Sequence, residues 1–142
     1  MRNEAMDRLA GLVGDWELTM TNAWFLDSME TKVVGSATVD WLGDAFLVLR
    51  SVFDGEPDMV WVIGRSDAND RYVLLSNDLR GVYRLFDLTL VGTQVTFSRE
   101  DPDFHQRFIA TVEPDRILAI TEASEDGGQS WRKDFDLIFE RR

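Results

Sequence analysis

Three arginines lie in strand-like stretches of alternating hydrophobic residues, where a guanidinium is unusual. They are Arg50, Arg84 and Arg99. Arg84, for example, alternates in phase with Val82 and Phe86. If such faces point into a folded interior, an unpaired charge there is strongly destabilising, so each guanidinium requires a counter-charge. That counter-charge is either an internal carboxylate or a bound anionic ligand, and the sequence pattern leaves both open.

Pairing across the predicted hairpins gathers further polar side chains around two of these arginines. The hairpin that joins their strands places Arg84 opposite Arg99. The next two hairpins bring Gln106 level with Arg99, and Glu122 to within about one residue of Gln106. Two adjacent guanidinium groups repel each other, so an acceptor is expected beside them. Glu122 is the first candidate for that acceptor, and its alternation predicts that it points inward.

Large aromatic side chains accompany the polar cluster. We expect a polar mouth above an aromatic floor, because ligand pockets combine mostly apolar walls with a few convergent polar groups. The predicted ligand-binding residues are Arg50, Trp61, Arg84, Phe86, Arg99, Phe104, Gln106 and Glu122. An anionic or amphiphilic small molecule suits such a site, since arginine holds a carboxylate through paired hydrogen bonds.

The elements that position these residues are short strands separated by turn-forming residues. Ten such runs are predicted, at 15–25, 31–42, 45–53, 58–66, 71–77, 82–90, 93–100, 104–112, 116–123 and 130–141. Connections this short join antiparallel neighbours, because a parallel crossover needs about a dozen residues or more. Closing the sheet removes its two exposed edges. The sequence therefore predicts an all-β, ten-stranded antiparallel up-and-down barrel.

A short helix is predicted before the strands, with Asn3 as its N-cap and Gly14 at its end. We expect this helix to plug one end of the barrel. In an up-and-down barrel the same rim holds Trp16, Trp41 and Arg141, whereas the arginine cluster lies at the opposite rim. The barrel is thus expected to open on the side of the arginines.

Length, charge and cysteine content narrow the function classes. We expect residues 1–142 to form one domain, which is enough chain for a single core. The net charge of −11 argues against nucleic acid and anionic membranes as partners, because both require a basic surface. The absence of cysteine excludes disulfides and thiolate metal sites. With no secretory signal or long apolar run, the expected location is the cytoplasm.

One motif at the start of the first strand resembles a known family. Gly14-Asp15-Trp16 is similar to the Gly-x-Trp signature of calycins, the lipocalin and fatty-acid-binding-protein superfamily. In calycins a basic residue of the last strand lies over that tryptophan, and Arg141 stands at the matching place. Segments 77–84, 103–108 and 122–141 resemble an uncharacterised family of bacterial calycin-like proteins. The resemblance implies the barrel fold over nearly the whole chain, without an established activity.

No cofactor or metal site is expected. The nitrobindins, a calycin-like branch, hold ferric haem through a histidine late in the barrel, whereas His105 lies about two strands earlier, on the more polar face. Residues 124–131 fit the Asp-box pattern Ser-x-Asp-x-Gly-x-(Ser/Thr)-Trp, which is a hairpin device. Asp134 and Asp136 alternate with hydrophobic residues, which predicts that both carboxylates face solvent.

Three function classes remain open at this point. The first is a small-molecule binding protein, and the second is a filled barrel that serves as an interaction or oligomerisation module. The third is an enzyme that uses Glu122 or His105 for proton transfer beside the arginines. A cavity of ~300 Å³ or more behind the arginine mouth favours binding. The exposed strand faces also leave a homodimer open.

Overall fold

A computed structural model describes residues 2–142 as a closed barrel of ten antiparallel strands. The strands are β1 (Gly14–Thr21), β2 (Val33–Leu42), β3 (Phe46–Phe53), β4 (Glu56–Arg65), β5 (Tyr72–Asp78), β6 (Tyr83–Val91), β7 (Gln94–Glu100), β8 (His105–Val112), β9 (Arg116–Ser124) and β10 (Arg132–Arg141). Helix α1 (Glu4–Asp7) and a 3₁₀ turn (Ala10–Leu12) precede them. Each strand pairs with the next, and β1 pairs with β10. The predicted up-and-down barrel is confirmed.

Alternation along the strands places one side chain in two inside the barrel. In β7, for example, Val95, Phe97 and Arg99 are buried, whereas Thr96 and Ser98 between them are more exposed. The interior is filled mainly by aliphatic and aromatic side chains contributed by all ten strands. The strand pattern read from the sequence therefore reflects burial on one face.

The N-terminal segment covers one end of the barrel, as predicted. The Asn3 side chain accepts a hydrogen bond from the backbone N–H of Ala5 at 2.8 Å, which caps α1. The segment buries its own Met6 and Leu9 against the barrel, and the Tyr72 hydroxyl donates to the carbonyl of Ala5. The expected single helix is divided into α1 and the 3₁₀ turn, because so short a helix has little stability of its own. Within residues 2–142, no helix has the length and apolarity to cross a membrane.

The Gly14-Asp15-Trp16 motif lies at this plugged end. Trp16 is fully buried, and its Nε1 donates to the carbonyl of Leu12 at 3.0 Å. The Arg141 guanidinium lies 4.1 Å from the Trp16 ring centre and donates to the carbonyl of Val13 at 2.8 Å. Gly14 has a φ of +147°, and a Cβ there would lie 2.3 Å from Nη1 of Arg141. Glycine is thus required both by its backbone angle and by the arginine packed against it.

A β-bulge in β10 turns one acidic residue into the barrel. The pairing of β10 with β9 shifts between Lys133 and Phe135, so Asp134 is the extra residue. Asp134 and Phe135 are consequently both buried, whereas Asp136 remains on the outer side, bound to Lys133. The prediction that Asp134 faces solvent is wrong, because strict alternation does not hold across a bulge.

A second bulge lies between β3 and β4. The pairing shifts between Arg50 and Val52, so that Ser51 is opposed by both Asp58 and Met59. The Ser51 hydroxyl is buried there and accepts the backbone N–H of Met59 at 3.1 Å. The bulge brings Asp58 to the interior at the open end of the barrel.

Candidate ligand-binding cavity

A cavity of about 590 Å³ lies in the end of the barrel opposite the helical plug. Aromatic side chains form most of its wall, and they include Trp24, Trp61, Phe86, Phe104, Phe108 and Phe135. The polar and charged side chains that face it are Asp58, Ser76, Asp78, Arg80, Arg84, Gln106 and Asp134. The combination of an apolar wall with a few polar groups is typical of ligand pockets.

The floor of the cavity is a cluster of closely packed rings. Phe97 and Phe108 are stacked, with ring centres 4.3 Å apart. Trp61 meets Phe108 edge to face at 6.0 Å, and Phe86 meets it at 5.7 Å. Offset and edge-to-face contacts of this kind add stability beyond the area they bury. The structure therefore places the predicted residues Trp61 and Phe86 on an aromatic floor.

Arg99 is buried beside the cavity and already has acidic partners. Its Nη2 donates to Asp101 at 2.7 Å and to Asp103 at 2.9 Å, and its Nη1 donates to the carbonyl of Phe104 at 3.3 Å. Burial acts to raise the pKa of Asp103, but hydrogen bonds from Phe104 and Arg99 outweigh it and hold that pKa below its usual value. The counter-charge of Arg99 thus comes from the turn between β7 and β8 and not from Glu122.

Arg84 faces the same end of the barrel but has no such partner. Its guanidinium carbon lies 5.1 Å from the centre of the Phe104 ring, and that of Arg99 lies 4.7 Å from it. Within residues 2–142, Arg84 makes no hydrogen bond and no ion pair. The predicted position of Arg84 directly opposite Arg99 is wrong. Leu88 pairs with Phe97, so the two arginines are staggered along the β6–β7 pair. The aromatic ring between them replaces the direct contact.

Gln106 and Asp134 form a buried polar pair at the cavity wall. Gln106 lies opposite Arg99 in the pairing of β7 with β8, as predicted. Its Nε2 donates to one oxygen of Asp134 at 2.9 Å, and the indole Nε1 of Trp24 donates to the other at 2.8 Å. Asp134 is only 8% exposed, whereas Trp24 is 58% exposed at the mouth. A buried carboxylate therefore fixes both an internal amide and a surface ring.

Asp58 is the second carboxylate that lines the cavity. Burial raises its pKa above the usual value, the hydrogen bond from Ser51 works against that rise, and the neighbouring charge of Asp78 adds to it. Asp78 itself accepts a hydrogen bond from Arg80 Nη2 at 2.7 Å, which lowers its own pKa. The cavity thus carries the Asp78–Arg80 ion pair, Asp58 with its raised pKa, and Asp134 with its two neutral donors. Arg84 is the cavity cation without a polar partner among residues 2–142.

Two of the predicted site residues lie on the outer wall. Arg50 is exposed, on the face of β3 opposite to the one from which Leu49 points into the barrel. Glu122 accepts a hydrogen bond from Nε of Arg107 at 3.0 Å, on the outer face of β9 with Ile120. The inward orientation predicted for Arg50 and Glu122 is wrong. Both strands carry apolar side chains on both faces, so alternation did not identify the inner one.

The other candidate proton-transfer residue also faces outward. His105 starts β8 next to buried Gln106, and its Nδ1 lies 3.4 Å from where a Cβ of Gly128 would stand. Neither His105 nor Glu122 lines the cavity. Over residues 2–142, no three histidine, aspartate or glutamate side chains are grouped as a metal ion would require.

The Asp-box segment forms the turn between β9 and β10. Asp126 accepts hydrogen bonds from the backbone N–H of Ser130 and from the Ser124 hydroxyl, both at 2.8 Å, and also from the Ser130 hydroxyl. These bonds lower the pKa of Asp126 to about 2. Gly127 and Gly128 have φ angles of +74° and +88°. The motif thus works as the hairpin device that the sequence predicts.

Asp58, Asp134 and Trp24 are among the cavity residues that were absent from the predicted site. Asp58 and Asp134 lie at the two bulges, for which the sequence carries no visible signal. Trp24 falls within the predicted first strand, but β1 ends at Thr21 and leaves Trp24 in the following loop. Its proximity to an acidic residue more than a hundred positions later follows only from the closure of the barrel by β1 and β10.

Comparison with solved structures shows the same fold in another protein. The crystal structure of Rv2717c from M. tuberculosis matches with a TM-score of 0.68, covering 100% of this chain and 99% of that chain. No family model matches the sequence, and no curated protein matches it either. The two chains are 11% identical, so the likeness shows the barrel fold alone.

Proposed function

We propose that the barrel binds a small amphiphilic molecule whose anionic head group pairs with Arg84. The observation that carries this proposal is a guanidinium without a polar partner among residues 2–142 that faces a cavity of about 590 Å³. Ligand pockets commonly measure ~300 to 1,000 Å³. The apolar part of the ligand would lie against the floor rings, including Trp61, Phe86 and Phe108.

The contacts of Arg84 support an anion over a neutral head group. A ring contact stabilises a guanidinium by only about 0.5 to 2 kcal/mol and leaves its N–H donors unused. A carboxylate or sulfonate would accept two of these donors at once. Asp78 and Asp134 also face the cavity and would repel further negative charge. The expected ligand is therefore a monoanion.

The alternatives have less support. A filled barrel would not leave a cavity of this volume at its open end. An enzyme that uses Glu122 or His105 would need one of them inside the barrel, and both lie on its outer face. A homodimer through the exposed outer faces of the strands is compatible with ligand binding and remains a proposal.

We further propose that the barrel is of the calycin type and acts in the cytoplasm. The stacking of Arg141 on Trp16, with Gly14 beside both, supports the first part of this proposal. The absence of cysteine from the chain is in keeping with the second.

Two fluorescent probes with related ring systems test the head-group assignment. 8-Anilinonaphthalene-1-sulfonate carries the negative charge, and N-phenyl-1-naphthylamine lacks it. In the Arg84→Gln variant the sulfonate should bind about 10- to 100-fold more weakly, since hydrogen bonds to charged groups contribute about 1.5 to 3 kcal/mol. The neutral probe should be affected less than about twofold, because its binding depends on apolar contacts.

Arg50→Gln is the matched control, because it removes the same charge from the outer wall. Its affinities for both probes should equal those of the unmodified protein. The proposal fails if Arg84→Gln binds the sulfonate as tightly as the unmodified protein does, or if Arg50→Gln weakens it equally. Native mass spectrometry of protein from its own host would then identify any retained small molecule.

A further inference from the structure

Three separate spaces inside the barrel share one boundary. The open cavity measures about 590 Å³, and an inner void next to the helical plug measures about 60 Å³. A second inner void of about 30 Å³ lies to one side, where Met20, Asp58 and Phe135 also border the open cavity. Among residues 2–142, only Trp61 and Phe108 line all three. These two rings, here called the partition, separate the open half of the barrel from the plugged half.

The partition is held on several sides. The Trp61 and Phe108 ring centres are 6.0 Å apart at an interplanar angle of 79°. Phe108 also contacts Phe86 at 5.7 Å, Phe97 at 4.3 Å and Phe135 at 5.7 Å. Displacing the Phe108 ring would disturb all of these contacts. Close-packed interiors resist such rearrangements, so the partition is a fixed wall.

The inner voids are too small to continue the open cavity. An apolar cavity that accommodates benzene measures about 150 Å³, and both voids are smaller than that. A molecule whose head group lies at Arg84 thus meets the partition before it can reach the plugged half. Its apolar part must be short enough to stay above Trp61 and Phe108.

We propose that Trp61 and Phe108 determine ligand length, so that the site takes a compact, ring-sized acid and excludes a long acyl chain. This proposal rests on the proposed function, because the head group must be anchored at Arg84 for the partition to limit the chain. The two rings are then specificity-determining residues.

A series of saturated carboxylates measures the depth of the site. Octanoate, decanoate, dodecanoate and tetradecanoate, each below its micelle concentration, would compete with the bound fluorescent sulfonate. In a barrel open along its length, tetradecanoate would bind roughly 200-fold more tightly than decanoate, since each buried methylene contributes about fourfold. With the partition in place, the gain from decanoate to tetradecanoate should be less than about fourfold. 2-Naphthoate should displace the sulfonate at least as well as decanoate.

The Phe108→Ala variant should join the outer cavity to the inner voids. Tetradecanoate should then bind at least about 10-fold more tightly than decanoate. Phe139→Leu is the control, because Phe139 lines both inner voids but not the open cavity, and its chain-length profile should match that of the unmodified protein. If Phe108→Ala does not fold, Phe108→Leu should show a smaller gain in the same direction.

The outcomes separate the two proposals. A steady gain with chain length in the unmodified protein, or no gain in a folded Phe108→Ala variant, overturns the role of the partition and leaves the head-group assignment intact. Failure of every acid to displace the sulfonate overturns the proposed function and the length limit with it. A plateau that is removed by Phe108→Ala and kept by Phe139→Leu confirms the inference.

Discussion

Replacing Asp134 with asparagine is expected to lower the free energy of unfolding by about 2 kcal/mol. The two carboxylate oxygens of Asp134 accept hydrogen bonds from Gln106 at 2.9 Å and from Trp24 at 2.8 Å. Asparagine has the same shape, but it presents one oxygen and one NH₂ group. The Gln106 amide can turn so that its oxygen accepts from this NH₂ group, while the asparagine oxygen accepts from Trp24. Both bonds are then kept, but neither is to a charged group.

The size of the effect follows from the loss of charge at the acceptor. A hydrogen bond to a charged group is worth about 1.5 to 3 kcal/mol, and a neutral one about 0.5 to 1.5 kcal/mol, so each of the two bonds loses about 1 kcal/mol. Gln106 is 5% exposed, so water does not compensate there, whereas Trp24 is 58% exposed and hydration of its indole N–H offsets part of its loss.

Urea denaturation followed by tryptophan fluorescence measures the change. With an m-value of about 2 kcal/mol per molar urea, the midpoint should fall by about 1 M. Asp87→Asn is the control, because Asp87 pairs with Arg71 at 3.0 Å on the surface, where an ion pair contributes at most about 1 kcal/mol. An Asp134→Asn midpoint within about 0.2 M of the unmodified protein, or equal to that of Asp87→Asn, would refute the reasoning.

Three further perturbations test other parts of the structure. Because the pKa of Asp58 is raised, protonation of this carboxyl group favours the folded state. That contribution to stability is lost as pH rises above 3.8. In urea titrations, Asp58→Asn should therefore gain stability relative to the unmodified protein between pH 4 and 7. The pKa of Asp126 is lowered to about 2, so its ionised carboxylate stabilises the fold fully above pH 3.8, and this stabilisation is lost as pH falls toward 2. The stability difference between the unmodified protein and Asp126→Asn should shrink over that range. A constant difference would contradict the Asp-box geometry. Gly14→Ala should lower the free energy of unfolding by about 1 to 3 kcal/mol, since it strains the backbone and displaces Arg141 from Trp16. Gly92→Ala is the control for the backbone effect by itself. Gly92 also has a positive φ, but a Cβ there would meet no close neighbour.

The predicted mouth of the barrel was partly recovered in the structure. Arg84, Arg99 and Gln106 share its inner face because each follows the alternation of its own strand without interruption. The acids that neutralise Arg99 lie in the turn after it, at Asp101 and Asp103. Their role depends on how that turn folds back over the strand, which strand periodicity does not describe.

The face of a strand is ambiguous when both sides carry apolar residues. Glu122 alternates with Ile120, and the outer position of both became clear only from the position of β9 between β8 and β10. The two buried carboxylates have a different cause, because Asp58 and Asp134 lie at bulges. At a bulge, the positions that point inward shift by one residue along the strand. The residue types do not reveal this shift.

The amino-acid sequence by itself determined the ten strands, their antiparallel order and the plugged end. Those features depend on local turn chemistry, on strand periodicity and on the Gly14-x-Trp16 motif, all of which act over a few residues. Only the tertiary structure decided which carboxylates face the cavity and how the rings of its floor meet. Asp134 and Trp24, like Trp61 and Phe108, meet across the closed barrel, and such contacts depend on register and bulges that accumulate around all ten strands.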